Sequence, residues 1–439
     1  MKKKRLLPLC IVFFISHASR SQDSSRHLSL QEAISASALN NDETKLSQLD
    51  EQIARAKFRR TDAIFLPQVE VSYAAVATDN SLNAFGFKLQ QRLIDAADFN
   101  PKLLNNPSPA TDFSAKIEFL QPLVNLDRIN ERKAAGKQIE MYRFISRRTA
   151  EYLSFESEKA YLQLQMLYDV DKVLQEAHAT SKAIYQTSKH YFEQGLIQRS
   201  DLLNAELHVT SAETQLNNSR SNIRDASDHL SILMGKPIGT VYTTDPIKQE
   251  LAPPINSLKI TDDRPDFRAL EKGIEAYDKM ISSAKNSYLP RLNAFGSFQQ
   301  NDKAFLSFNS NSYIIGINLS WKLFNGNGTK NMIAQQSLEK DKLARQLDKA
   351  KTEAEAQLAH AKRQLSDAVF SLRQQQMGIA QASEALRVLQ NRYAQGLVTT
   401  NDVLMAHTQL SQQQLSAVEA VFNYNLATVY LRFLTTKTY

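Results

Sequence analysis

Apolar and polar positions along the chain follow two rhythms, and the first has a period of seven. Leu202, Val209, Leu216, Ile223 and Leu230 form one seam, and Ala205, Ala212, Ser219, Ala226 and Leu233 a second. The pattern returns in Val403, Leu410, Ala417, Tyr424 and Leu431, beside Ala406, Gln413, Ala420, Ala427 and Leu434. Upstream, Leu358, Leu365, Leu372, Ile379, Leu386 and Tyr393 run beside Leu347, Ala354, Ala361, Ala368, Gln375, Ala382 and Leu389. Paired seams at this spacing predict helices packed as coiled coils. One seam is large and the other mostly alanine, so backbones approach closely, and a sustained seven-residue period implies left-handed supercoiling. An ordinary helical-bundle core fits the same spacing, but length argues against it. Residues 127–193 hold no proline and only Gly136, and 328–394 no proline and, past the first residue, only Gly378. Each run of about 67 residues would span roughly 100 Å, far beyond a globular helix. Shorter helices are expected at 199–234, 265–288, 399–434 and 29–65. Stacked end to end in pairs, they would match one long helix each, with the Gly- and Pro-rich stretch 235–264 at mid-height.

The second rhythm has a period of two. Val69, Val71, Tyr73 and Ala75 line one face of a predicted strand, and Ala115, Ile117 and Phe119 another, with Lys116 and Glu118 opposite. Leu292, Ala294, Gly296 and Phe298 follow, then Tyr313, Ile315, Ile317, Leu319, Trp321 and Leu323. The last run is long enough to cross an outer membrane, and Tyr313 and Trp321 at its ends suit an aromatic girdle. A half-buried soluble sheet would show the same alternation. Polar, turn-rich connections are expected at 79–114 and 301–312. Two strands open on matching signals, Leu66-Pro67 and Leu289-Pro290. Proline cannot continue a helix and holds the preceding residue extended, so Pro67 and Pro290 mark helix-to-strand junctions. Phe324-Asn325-Gly326-Asn327-Gly328 lacks phosphate-loop spacing and reads as a strand-to-helix turn. Four strands cannot close a barrel, and lipid does not tolerate open sheet edges, so the strands require other copies.

One sentence of sequence is written twice. Residues 191–206 read YFEQGLIQRSDLLNAE and 392–407 read RYAQGLVTTNDVLMAH. Gly195, Leu196 and Asp201 recur as Gly396, Leu397 and Asp402, at the turn between a long helix and its return. The glycines are expected to cap helices with positive φ, and the aspartates to complement the dipoles of the next helices.

Composition changes the picture at the N-terminus. Lys2, Lys3, Lys4 and Arg5 precede a short apolar run from Leu6 to Ile15, with Ser16-His17-Ala18 after it. This is a secretory signal over 1–18, too short to span a membrane. A lipoprotein signal at Cys10 is the alternative, but Leu9 is bulky for it and the apolar run continues through Cys10. Losing the four cations takes the formal net charge from +7 to +3. There is no basic, aromatic-interleaved patch, so no nucleic-acid partner is expected. Cys10 is the only cysteine, which leaves a mature chain without disulfides or thiolate metal sites. No two of the eight histidines stand four apart, and neither H-E-x-x-H nor G-x-S-x-G occurs. We expect no enzyme, no metal and no cofactor. If the chain enters a membrane it does so with strands.

Helix, Leu-Pro, strand pair, long helix, Gly-Leu turn, shorter helix, then all of it again: this order resembles the TolC-like outer-membrane efflux channel family over about residues 29–434. The resemblance implies a mainly α fold with a small antiparallel β part. Long antiparallel coiled-coil helices would form a trimeric α-barrel, and four transmembrane strands per chain would complete a twelve-stranded β-barrel. The first structural repeat would be 19–234, the equatorial connection 235–264 and the second repeat 265–439. It also implies a homotrimer in outer-membrane lipid, met by a periplasmic adaptor and an inner-membrane pump. Adaptor hairpins would dock at Gly195, Leu196, Gly396 and Leu397. Asp402 would stand in an acidic ring at the pore entrance, with Asp201 and Tyr393 in gating contacts. The family's second acidic position is Met405 here and its arginine position is Val398, so a weaker ring and one missing lock are expected. Small-molecule efflux is the leading expectation. The alternatives are a protein-export duct of type I secretion and an exported coiled-coil scaffold that conducts nothing.

Overall fold

The computed structural model describes residues 25–252, 254 and 258–435, so the expected signal at 1–18 lies outside the described residues. In chain order the elements are β1 (Arg26–His27), α1 (Leu30–Asn40), α2 (Asp42–Arg60), β2 (Gln68–Thr78), α3 (Ser81–Gln90), α4 (Pro101–Asn105), β3 (Ala110–Val124), α5 (Leu126–Glu193) and α6 (Arg199–Leu233). Then come β4 (Tyr242–Thr243), α7 (Pro265–Asn286), β5 (Arg291–Asp302), β6 (Ser310–Ser320), α8 (Gly328–Ala394) and α9 (Thr400–Thr435). The long helices hold 68 and 67 residues, as the absence of breakers predicts. Chain contacts divide the molecule into two compact units, and α5 and α8 contribute residues to both.

The first unit comprises 25–41, 153–252, 254 and 361–433 among the described residues. Its helices carry the predicted seams inward: Leu365, Leu372, Leu386 and Tyr393 are buried, with Ala361, Ala368 and Ala382 beside them. Each large buried side chain contributes about 1.5–3 kcal/mol of burial. A second core gathers Leu28, Tyr161, Leu164, Ile223, Leu230, Met234 and Tyr242. There β1 pairs in parallel with β4, a pairing absent from the sequence reading. The helix expected over 29–65 is instead broken at Asn41, which is extended at φ −63°, ψ 140°. Its side-chain Nδ2 donates to the Leu233 carbonyl at 2.9 Å. Gly235, at φ +64°, lies so close to Asn40 that a Cβ there would stand 2.4 Å from the Asn40 carbonyl oxygen. Docking against the end of α6, not a local breaker, ends α1.

The second unit comprises 42–152 and 258–360 among the described residues, closed by the end of α9. Its sheet has the order β2-β3-β5-β6, antiparallel throughout. Pro67 and Pro290 each stand one residue before their strand, as the Leu-Pro signals predict. The strands extend further outward than the alternation suggested: β3 begins at Ala110 and β5 runs to Asp302. The 79–114 connection is correspondingly shorter and holds α3, a 3-10 turn at Ala96–Phe99 and α4. β6 ends at Ser320, so Trp321 lies past the strand, where its Nε1 donates to the Tyr288 carbonyl at 2.8 Å. Pro122 sits inside β3 at a register shift, the place where a ladder tolerates a missing donor. Across the junction Arg291 donates to the buried Asp127 carboxylate, joining the start of β5 to the first turn of α5.

Candidate functional site

Two sets of residues stand out: the hairpin tips of the first unit and the sheet of the second. At each tip the duplicated sentence builds the same cassette. Gly195 has φ +71° and Gly396 φ +69°. Gly195 N donates to Phe192 O at 2.9 Å and Leu196 N to Tyr191 O at 2.8 Å. Gly396 N donates to Tyr393 O at 2.9 Å and Leu397 N to Arg392 O at 3.0 Å. These bonds satisfy carbonyls at the helix end, and the left-handed φ explains the glycine. Six residues on, each aspartate caps the next helix. Asp201 accepts from Gln198 N at 3.2 Å. Asp402 accepts from Thr399 Oγ1 at 2.7 Å and from Thr399 N at 2.8 Å. The Thr399 hydroxyl, then its backbone N–H, hold the Asp402 carboxyl below the usual carboxylate range. Leu196 and Leu397 project outward, 66% and 67% exposed.

The two hairpins pack on each other through Ile184, Ala205, Leu386, Tyr393, Val403 and Leu404. Tyr393 is buried here. Its hydroxyl lies 2.9 Å from Thr400 Oγ1 and 3.3 Å from Ser188 Oγ, both buried, so one phenol links α5, α8 and α9. Its ring stands 5.3 Å from that of Tyr191. Val398 packs against this core, whereas Met405 is exposed. His407 is buried one turn further along α9. Burial first, and then the nearby His208, hold its imidazole below the ordinary histidine range.

In the sheet, register decides what alternation alone left open. Val71 faces Ile117, which faces Phe298, which faces Tyr313. Val69, Phe119, Gly296 and Ile315 make the next row of the same face. The opposite face carries Glu70, Glu118, Lys116, Ser297 and Gln299. One surface is therefore predominantly apolar, interrupted by Gln121, Gln300 and Asn311, and the other largely polar. Both are open: Val69, Val71, Ile315, Ile317 and Leu319 on the apolar face are all more than 60% exposed, as is Ile314 on the other. Among the described residues, β2 and β6 each have a strand on one side only. No described helix is long and apolar enough to cross a membrane.

Residues 33–236 and 259–436 match the family described as Outer membrane efflux protein. The chain is a member of that family. Like other outer membrane efflux proteins it is an outer-membrane channel protein with a periplasmic extension, and the family's members are transport channels rather than enzymes. It is 21% identical over 446 aligned positions to outer membrane protein TolC of Salmonella enteritidis, spanning 97% of this chain and 84% of the relative. TolC of Escherichia coli K12 is 20% identical, over 96% and 84% of the two chains. Among solved structures, the Campylobacter jejuni CmeC outer membrane channel superposes with a TM-score of 0.77 at 16% identity, covering 92% of this chain and 85% of that one. The open state of the Neisseria gonorrhoeae MtrE channel superposes with a TM-score of 0.71 at 16% identity, over 93% and 89%.

Within this outer membrane efflux protein, the tip assignments from sequence gather on the two hairpins of one unit, while Pro67, Pro290, Tyr313 and Trp321 belong to the other unit. Sequence reasoning missed Ser188 and Thr400, short hydroxyl residues whose roles exist only once three helices meet, and Thr399, which acts locally on Asp402. It also missed most aromatics at the loop end of the sheet. Phe305 and Phe308 fold back onto Tyr73 with ring centroids 5.9 and 6.5 Å away, and Phe305 also meets Phe113 at 5.7 Å. Leu306 N donates to the Tyr73 hydroxyl at 2.8 Å, holding the turn.

Proposed function

We propose that this outer membrane efflux protein works as a homotrimeric channel-tunnel that passively conducts small toxic compounds out of the cell. The observation that carries the reading is the four-stranded sheet with one predominantly apolar face and, among the described residues, two unpaired edges. In lipid every backbone donor and acceptor needs a partner, so β6 of one copy must pair with β2 of the next. Three copies would close a barrel of twelve strands, apolar outward and polar inward. The helices of three copies would continue it as an α-barrel through the periplasm.

The exposed Leu196 and Leu397, each held out by a rigid glycine turn, suit docking by hairpins of a periplasmic adaptor coupled to an inner-membrane pump. Asp402, kept ionised by Thr399, would supply one carboxylate per copy at the tunnel entrance and attract cations there. Asp201 and the Tyr393 hydroxyl chain would hold the hairpins in the closed arrangement. Repeat boundaries at 19–234, 235–264 and 265–439 belong to the same proposal, as does export through a signal at 1–18.

A strain lacking the protein tests this against its parent on a panel of antibiotics, detergents, dyes and metal salts, with culture supernatants compared in parallel. Hypersensitivity with an unchanged set of secreted proteins is expected. Loss of one secreted protein with unchanged sensitivity would make the channel a protein-export duct instead.

A further inference from the structure

The two connections at the loop end of the sheet fold to opposite faces. The short one, 303–309, lies on the apolar side through Phe305 and Phe308. The long one, 79–109, lies on the polar side. Asp112, Asn301 and Ser310 alternate onto that side in β3, β5 and β6, and all three are buried beneath the end of α3. Gln91 Nε2 donates to Asp112 Oδ1 at 2.9 Å, and Asn301 Nδ2 donates to Asp112 Oδ2 at 2.8 Å. Ser310 Oγ donates to the Gln90 carbonyl at 2.6 Å, and Arg92 Nη2 to the Asn311 carbonyl at 2.9 Å. Each Asp112 oxygen thus has a donor, and a buried network that is fully satisfied fixes its members rigidly. The rest of the segment is internally braced by the Lys88–Asp98 ion pair at 2.6 Å and by Phe85 edge-on to Phe99.

We propose that residues 79–109 form a lid over the outer mouth of the barrel, closed by contact with the same segment of the other two copies. The inference rests on the trimeric-barrel reading above. If the polar face lines the lumen, a rigid segment pinned to that face at the loop end must project over the opening. Among its polar residues the segment exposes large apolar side chains: Leu82 is 80% exposed, Phe99 61%, Leu89 and Leu103 each 53%. Surface of that kind at the mouth of a water-filled pore is unfavourable unless covered. The occupant that symmetry supplies is a second copy of the same segment, continuous with the β2–β6 edge interface that the sheet requires. The channel would then have two restrictions, one at the helical tips and one at the cell surface.

The test uses whole cells and the full chain with Cys10 replaced by Ser. Ser297, mid-strand on the polar face, becomes the only cysteine through Ser297→Cys. A small membrane-impermeant maleimide added outside should label it. A bulky polyethylene-glycol maleimide should not, until 79–109 is replaced by a two-residue Asn-Gly turn, when its labelling rate should rise by an order of magnitude. Asp112→Ala, which removes the acceptor for both amides without shortening the chain, should raise it as well. Leu82→Cys alone should cross-link between copies with a short bismaleimide. Equal labelling by the bulky reagent with and without the lid, in trimers that the small reagent labels, overturns the lid and leaves the channel intact. No labelling by the small reagent in any variant, with no heat-modifiable trimer, overturns the channel reading and the lid with it.

Discussion

At the scale of residues, glycines that look alike in sequence do different work. Gly396 needs only its left-handed φ, since nothing lies within 4 Å of where a Cβ would stand. Gly235 needs both φ and space, because a Cβ would meet Asn40 backbone atoms at 2.4 and 2.9 Å. Gly396→Ala should therefore cost about 1–2 kcal/mol, the price of an alanine at positive φ. Gly235→Ala should cost more, because α1 must move off the end of α6. Melting of the two variants in detergent checks the order, and equal losses would mean the close approach is relieved freely. His407 carries a pH prediction. Burial and His208 lower its pKa from the ordinary value of 6.5. Between the lowered native value and the unfolded one, the unfolded chain binds more protons, so stability rises with pH there. The contribution is complete above about pH 6.5 and is lost as pH falls below it. Amides of residues 400–410 should lose exchange protection between neutral and mildly acid pH. His407→Gln should flatten that loss, and an unchanged acid response in this variant would assign it to other groups.

At the scale of elements, the helices were legible because their chemistry repeats. A seven-residue beat in Leu358, Leu365 and Leu372, with no breaker for more than sixty residues, leaves few other outcomes. The break at Asn41 was not legible: residues 30–60 contain no glycine or proline, and the cause lies at Leu233 and Gly235, far away in sequence. Nor was the cap of α3 and α4, short helices in a polar stretch with no periodicity to announce them. Of the tip, the glycines and aspartates could be read because they are duplicated, while the partners of Tyr393 could not. The duplication also exposes a difference. Leu174, Ala177 and Ala212 in the first hairpin correspond, 201 positions on, to Gln375, Gly378 and Gln413 in the second. Gln375 Oε1 is buried without a partner, and the Gln413 side chain fills the space a Gly378 Cβ would take. A helical glycine costs about 1 kcal/mol against alanine, and an unsatisfied buried acceptor about 1–3 kcal/mol. Amides of 372–380 should exchange at least roughly thirtyfold faster than those of 171–179, the factor for about 2 kcal/mol. Gln375→Leu, Gly378→Ala and Gln413→Ala together should erase the difference. Equal protection in the unmodified protein would show that α8 has no weak layer.

At the scale of the whole molecule, the proposed barrel makes membrane assembly turn on which sheet face meets lipid. Hydropathy does not decide it locally, because Ile314 and Ile315 are adjacent, identical in type, and 62% and 80% exposed. Register does. Ile315 faces Gly296 in the row that continues to Phe119 and Val69, while Ile314 faces Ser297 in the row that continues to Glu118 and Glu70. An arginine on the lipid face near the bilayer midplane costs about 2–4 kcal/mol, and the same side chain in a water-filled lumen costs little. In the proposed trimer the penalty falls on three copies at once, so it should be decisive for insertion. Ile315→Arg should abolish heat-modifiable trimers in the outer-membrane fraction, and Ile314→Arg should leave them at normal levels. The second variant is the control for the first: same helix-free strand, same residue type, same charge, one position apart. If both variants assemble, this sheet does not sit in lipid. If only Ile315→Arg assembles, the sheet is turned the other way, and residues 79–109 would then project from its outer surface rather than over its mouth.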